Sequence, residues 1–225
     1  MQGRPRESTD EHRPDRGHRP HRRPRTGPAA AARPPRHRAG AHPAKLPPVA
    51  ATADGLSVQT GDVLQTGALE RLTDGAEAVI SALGPVGRQA DLHTRTAQLL
   101  VPLMLQRGLR RFVGISGAGV DAPGDDKSRQ AKIISFLIQK LGGAAVADKP
   151  AELAVWLASG LDWTLVRPPR LLDGAPTGRI DHHAHRSVAG TTITHADLAA
   201  FMIEVVEGGL YAGAAPFVAG ARRSS

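Results

Sequence analysis

Beyond residue 49, the apolar positions of this chain alternate between two rhythms. Ala78–Leu83 (AVISAL), Arg111–Ser116 (RFVGIS) and Trp163–Val166 (WTLV) read as apolar runs, closed by Gly84–Pro85, Gly117 and Arg167–Pro168. Runs of this length fit strands buried on both faces of a parallel sheet. Leu56–Val63 alternates loosely and turns at Gly61–Asp62, a strand-then-turn signal. Between the runs the period is 3.6. Over Asp91–Arg107 it puts Leu92, Thr96, Leu99, Leu100, Leu103 and Met104 on one face, with Gly108 at the C-cap. Shorter helices are expected at Gly67–Asp74, Ile133–Leu141 and Ala151–Ala158. Another is expected at Ala196–Glu207, with Thr194 as N-cap and Gly208–Gly209 as terminator. Phe217–Val218 closes as a last strand.

Strands alternating with helices predict βαβ units: one α/β domain over 49–220 with a doubly wound parallel sheet, and a tail at 221–225. In such sheets a ligand sits at the carboxyl ends of the strands. That selects Asp62–Val63, Leu83–Gly84, Ser116–Gly117 and Arg167–Pro168 as the candidate rim.

Residues 1–48 have a different texture. They hold 10 of the 18 prolines, one Leu, and no Val, Ile, Phe, Trp or Tyr. Such a leader buries too little apolar surface to offset its ordering entropy, so disorder is expected. It also carries 12 basic and 4 acidic residues, while the remaining 177 residues carry 17 of each. The whole net charge of +8 therefore belongs to the leader. Without aromatic residues or helical period, that charge predicts no specific nucleic-acid partner.

The absence of Cys excludes disulfides, thiolate catalysis and Cys-based zinc sites. The longest apolar run, Leu99–Leu105, is 7 residues and is broken by Pro102, so no membrane partner is expected. Arg22–Arg23 have no apolar stretch behind them, and the expected location is the cytoplasm. Asp181–His185 (DHHAH) reads as a solvated loop rather than a metal site, because the His are local and no distant ligand completes them. Gly114–Ala118 misses the last Gly of a nucleophile elbow, and Gly124–Ser128 misses the spacing of a P-loop.

Five segments in order carry a resemblance: Val58–Val63 (VQTGDV), Asp74–Gly84 (DGAEAVISALG), Arg107–Ser116 (RGLRRFVGIS), Asp148–Gly178, and Ile193–Val206 (ITHADLAAFMIEVV). Together they resemble the atypical short-chain dehydrogenases with an NAD(P)-binding Rossmann domain, the group of NmrA-like proteins and biliverdin/flavin reductase B. The resemblance implies NADP or NAD as cofactor, with NADP put first, and hydride transfer to a small-molecule acceptor. It implies that Asp62 and Val63 flank the adenine. Ala82, Leu83 and Gly84 would pass under the pyrophosphate and nicotinamide ribose. Ser116, followed by Gly117, would be the active-site serine position. Lys149 would touch the nicotinamide ribose, and Arg167–Pro168–Pro169 would close the carboxamide side. Many relatives carry a Tyr four residues before that lysine; here it is Ala145. That departure keeps open a second class, a dinucleotide-binding redox sensor that catalyses nothing.

The family also opens with a strand and a glycine-rich loop, and residues 1–48 contain neither. Back-translated and shifted by one base, the codons from Asp10 permit Met-x-Ile-Val-Leu-Ile. Arg16 to Arg22 permit Gly-Ala-Thr-Gly-Arg-Thr-Gly, and Arg33 to Ala41 permit a second strand ending in Arg. We therefore read residues 10–41 as an out-of-frame version of the first β-α-β unit, which is disrupted in the chain as written. Sequencing the gene across codons 9–42 is expected to reveal an insertion or deletion at each end of this stretch; an uninterrupted frame in independent reads refutes the idea.

Overall fold

The computed structural model describes residues 36–40, 56–84, 89–126 and 143–221. The leader up to 35, the helix expected at Ile133–Leu141 and the residues from 222 lie outside them. All described residues belong to one compact unit, 33–225. No helix among them is long and apolar enough to cross a membrane.

The three strongest apolar runs form the middle of the fold. Strands β3 (Ala78–Ser81), β4 (Arg111–Ile115) and β5 (Asp162–Val166) pair in parallel, with Val79 opposite Phe112 and Phe112 opposite Trp163. Helix α1 (Thr66–Thr73) stands where the sequence places a short helix, and helices α2 (Leu92–Gln106) and α3 (Gly143–Ala158) cover one face of the sheet. Leu100, Leu103, Met104, Leu153 and Trp156 pack there on Phe112, Trp163 and Leu165. The Phe112 and Trp156 rings stack at 3.8 Å between centroids. A Cβ on Gly114 would stand 2.8 Å from the Phe112 ring, so only glycine lets that ring lie where it does. Helix α4 (His195–Glu207) covers the other face, setting Leu198, Phe201, Met202 and Val205 against Val113, Val166 and Val218. Its N-cap is Thr194, whose side chain accepts from the Asp197 N–H as the sequence predicts.

Five elements differ from the sequence expectation. Helix α3 starts at Gly143 rather than Ala151 and runs through Pro150; the Ala-rich turns before the proline have the propensity to carry it. Short strands β6 (Arg170–Leu172), β7 (Ile180–His183) and β8 (Thr192–Thr194) span only three or four residues, too few for a period to show. The DHH of the expected loop therefore lies in β7, paired antiparallel with β9 (Phe217–Gly220), so the sheet is not wholly parallel. Single parallel bridges, Thr164 to Ala214 and Arg167 to Phe217, join β5 to the β9 side.

The last difference lies in the leader. Residues Arg36–Gly40 form β1, parallel to β2 (Leu56–Thr60). Ladder bonds use only backbone N–H and C=O, so the sequence RHRAG can pair without apolar side chains once Pro34–Pro35 are behind it. The strand falls inside the stretch where the shifted reading places a second strand. The β1–β2 pair is not hydrogen-bonded to β3–β4–β5. Ile80 in β3 is 47% exposed although its cross-strand neighbour Val113 is fully buried.

Truncating Phe112 to Ala is expected to cost about 3–5 kcal/mol in denaturant unfolding. Ile80→Thr, at the half-exposed margin of the face that α4 covers, is expected to cost less than about 0.5 kcal/mol and to raise solubility.

Candidate functional site

The carboxyl ends of β3, β4 and β5 form a rim, and most of the residues selected from sequence stand on it. Ser116 follows β4 and donates its N–H to the Val166 carbonyl at the end of β5, at 2.7 Å. Its Oγ is buried and has no hydrogen-bond partner. Two other buried side-chain atoms share that condition among the described residues, Arg111 Nε and Trp156 Nε1. Trp156 lies in the apolar core, and Arg111 begins β4 at the strand end away from the rim. A buried polar atom left unpaired costs about 1–3 kcal/mol, and among the described residues of the rim the Ser116 hydroxyl is the side-chain group in that state. Gly117 beside it accepts from the Val120 N–H at 3.0 Å and opens the 117–126 loop.

Lys149 is drawn to the same point. Its ammonium donates to the Ile115 carbonyl at 3.0 Å and to Glu152 at 2.9 Å, and the side chain is 14% exposed. The residue before it, Asp148, is buried and was not selected from sequence. Its carboxylate accepts from the backbone N–H groups of His93 (2.7 Å) and Thr94 (3.2 Å) and from the Thr94 hydroxyl. Asp148 thereby caps α2 from another helix, since Asp91 at the N-cap makes no side-chain bond. It also meets His93 Nδ1 at 3.1 Å, while His93 Nε2 meets the Leu83 carbonyl at 3.1 Å. A carbonyl only accepts, so the Leu83 contact is made by an N–H at Nε2. Burial raises the Asp148 carboxyl, but the Thr94 and His93 hydrogen bonds outweigh it and hold the group below the ordinary carboxylate value.

The remaining selected residues divide. Ala82 and Gly84 are exposed and Leu83 is half-buried, just past β3. Nothing lies within 4 Å of a Cβ built on Gly84, so its backbone is open to close approach. Asp62 caps its own turn by accepting from the Leu64 N–H at 2.9 Å, and Val63 packs on the core. Both follow β2, in the separate two-stranded sheet. Arg167 turns inward. Its guanidinium makes a bidentate pair with Asp125 (2.6 and 2.7 Å), donates to the Ala215 and Val120 carbonyls, and lies 3.7 Å from the Phe217 ring centroid. With no side-chain surface exposed, it braces the 117–126 loop against β5 and β9. Pro168 is buried beside it.

On the flank of the rim, Asp197 accepts from Thr177 and Gly178 N–H groups and the Thr177 and Thr194 hydroxyls, pinning the 173–179 loop to α4. Burial works against this carboxylate too, and the same hydrogen bonds, Thr177 first, hold it low. In the 181–185 stretch, His182 Nδ1 meets the Tyr211 hydroxyl at 2.5 Å, and His183 Nδ1 accepts from the His185 and Arg186 N–H groups. Burial, then Arg186 and His185, pushes the His183 imidazole down. Among the described residues no group of three or more His, Asp or Glu comes together to hold a metal.

The model of the NAD(P)H-binding family matches residues 30–208. No curated protein matches the chain. Among solved structures the chain is similar to a wide-type short-chain dehydrogenase/reductase from Veillonella parvula, in complex with NADP. The TM-score is 0.62 at 16% identity, over 77% of this chain and 76% of that one. It is similar to the anaerobillin reductase ChuY from Escherichia coli (TM-score 0.60, 21% identity, 76% and 78% of the two chains). It is also similar to the oxidoreductase ylbE from Lactococcus lactis (TM-score 0.62, 18% identity, 83% and 80%). At these identities the likeness establishes a Rossmann-like α/β fold.

The two low-titrating carboxylates make stability depend on acid. Each contributes above the ordinary carboxylate range, and that contribution is lost as pH falls through its depressed folded value. Asp148→Asn and Asp197→Asn are each expected to be less stable than the parent at pH 7, by on the order of 1–3 kcal/mol. In chemical unfolding the gap should close as pH drops below the ordinary carboxylate value.

Proposed function

The chain belongs to the NAD(P)H-binding family, and from that membership we propose that it is an oxidoreductase passing hydride from NADPH, or NADH second, to a small acceptor of the flavin, quinone or tetrapyrrole type. The observation that carries this reading is the Ser116 hydroxyl, buried and unpartnered at the ends of β4 and β5. Its free donor is suited to the acceptor atom on which negative charge develops. Lys149 fixes the Ile115 carbonyl and with it the backbone that carries Ser116. The open backbone at Gly84 suits a pyrophosphate passing the β3 exit, and the family resemblance puts Asp62–Val63 at the adenine end. The bound dinucleotide supplies the hydride, and the chain's part is orientation and exclusion of water. With Ala145 where relatives carry Tyr, no tyrosine at that position delivers the proton that follows.

Two features temper the activity of this chain. Residues 1–48 hold no glycine-rich loop for the pyrophosphate, so affinity for NADPH should be weak. Ala145 also favours a second reading, a dinucleotide-binding sensor without turnover. No specific nucleic-acid partner enters either reading.

NADPH titration should show binding at least tenfold weaker in this chain than in one whose residues 10–41 follow the shifted reading. Steady-state NADPH oxidation with flavin and quinone acceptors in the latter should fall on the order of 100-fold with Ser116→Ala, the size of losing one preorganised donor. Binding without turnover for any acceptor establishes the sensor instead.

A further inference from the structure

The Ala82–Gly84 turn at the exit of β3 has little of its own to hold it. Ala82 and Gly84 are exposed, and no atom lies within 4 Å of a Cβ on Gly84. Among the described residues two side chains grip the turn. Ser81 Oγ accepts from the Leu83 N–H at 3.4 Å, and His93 Nε2 meets the Leu83 carbonyl at 3.1 Å. The His93 bond is the shorter and the better shielded, because the ring is only 4% exposed. A polar ring in the first turn of an apolar helix has no packing reason to be buried. Here it is also fixed from behind. Asp148 holds its Nδ1 at 3.1 Å and its backbone N–H at 2.7 Å, and the next residue, Lys149, is tied to the Ile115 carbonyl at 3.0 Å. One short stretch of α3 thus references the β3 turn and the β4 end to the same two residues.

We propose that His93 is a positioning residue: by donating from Nε2 to the Leu83 carbonyl it holds the β3-exit turn at the height needed for a dinucleotide to lie across it. The inference rests on the reading that this turn faces the cofactor. It predicts a split between two conservative replacements. The amide of Gln reaches about as far as Nε2 and can still donate to Leu83. The amide of Asn reaches about as far as Nδ1, keeping the Asp148 contact and abandoning the turn.

The test is amide hydrogen exchange on the full chain without cofactor, read on a peptide covering 82–84, with α2 and α3 as internal references, for His93→Gln, His93→Asn and His93→Leu. The Asn and Leu variants should speed exchange in the turn about fivefold, the equivalent of one net hydrogen bond. The Gln variant should stay near the parent, and α2 and α3 should keep their protection in the Asn variant. Exchange in the Gln variant as fast as in Leu, a turn as protected in Asn as in the parent, or equal loosening of turn and helices in all three overturns the proposal. An NADPH titration separates the cofactor reading. Affinity retained by Gln and lost by Asn supports the positioning role; equal affinity in the two overturns it. A parent that binds no NADPH while its turn stays protected overturns the functional reading and sustains the tether.

Discussion

A parallel strand has to be covered on both faces and hydrogen-bonded along both edges, and this molecule is shaped by where that requirement is met and where it is not. Strand β4 meets it in full. Phe112 faces α2 and α3, Val113 faces α4, and both neighbours pair with it in register. Strand β3 meets it on one side. Val79 joins the core, but Ile80, opposite the buried Val113, is half exposed, and only β4 pairs with β3 among the described strands. The pair β1–β2 stands apart for the same reason: no described strand joins it to β3. Segments such as Ile80 are where apolar surface would seek another chain.

The same requirement explains the rim. Parallel strands end together, so unpaired backbone groups and loop polar groups collect at one edge and need partners. Three buried charged groups answer. Asp148 satisfies the first N–H groups of α2, Arg167 satisfies Asp125 and two carbonyls, and Asp197 satisfies the 177–178 backbone. Each charge is worth burying only because its hydrogen-bonding capacity is nearly filled. Against that background the unpaired Ser116 Oγ stands out.

Elements that rest on periodicity were legible in the sequence: the three apolar strands, α2 with its Gly108 stop, and α4 with its Thr194 cap. So was the place of Ser116 just past the end of β4; Lys149 entered only through the family resemblance. What stayed hidden depends on tertiary partners. Nothing in the local pattern shows that Arg167 would turn inward to meet Asp125, 42 residues away. The pairing of His93 with Asp148 spans 55 positions; the available signal was a lone His inside an apolar helical face. Strands β6 to β8 are set by pairing across the chain, since three or four residues carry no rhythm.

The leader carries the whole net charge of the chain. Its positive charge, taken alone, points toward phosphate-bearing partners. Yet residues 36–40 pair in parallel with β2, and the family match begins at residue 30, inside the same cationic stretch. A segment selected to bind nucleic acid has no reason to supply a sheet strand at the place where the second strand of a dinucleotide fold belongs. A segment whose codons encode that strand in another frame would fall there by position, and backbone pairing would tolerate its altered side chains. On that proposal the arginines mark no partner, and the half-exposed Ile80 on β3 lies where a further strand or helix of the fold would cover it.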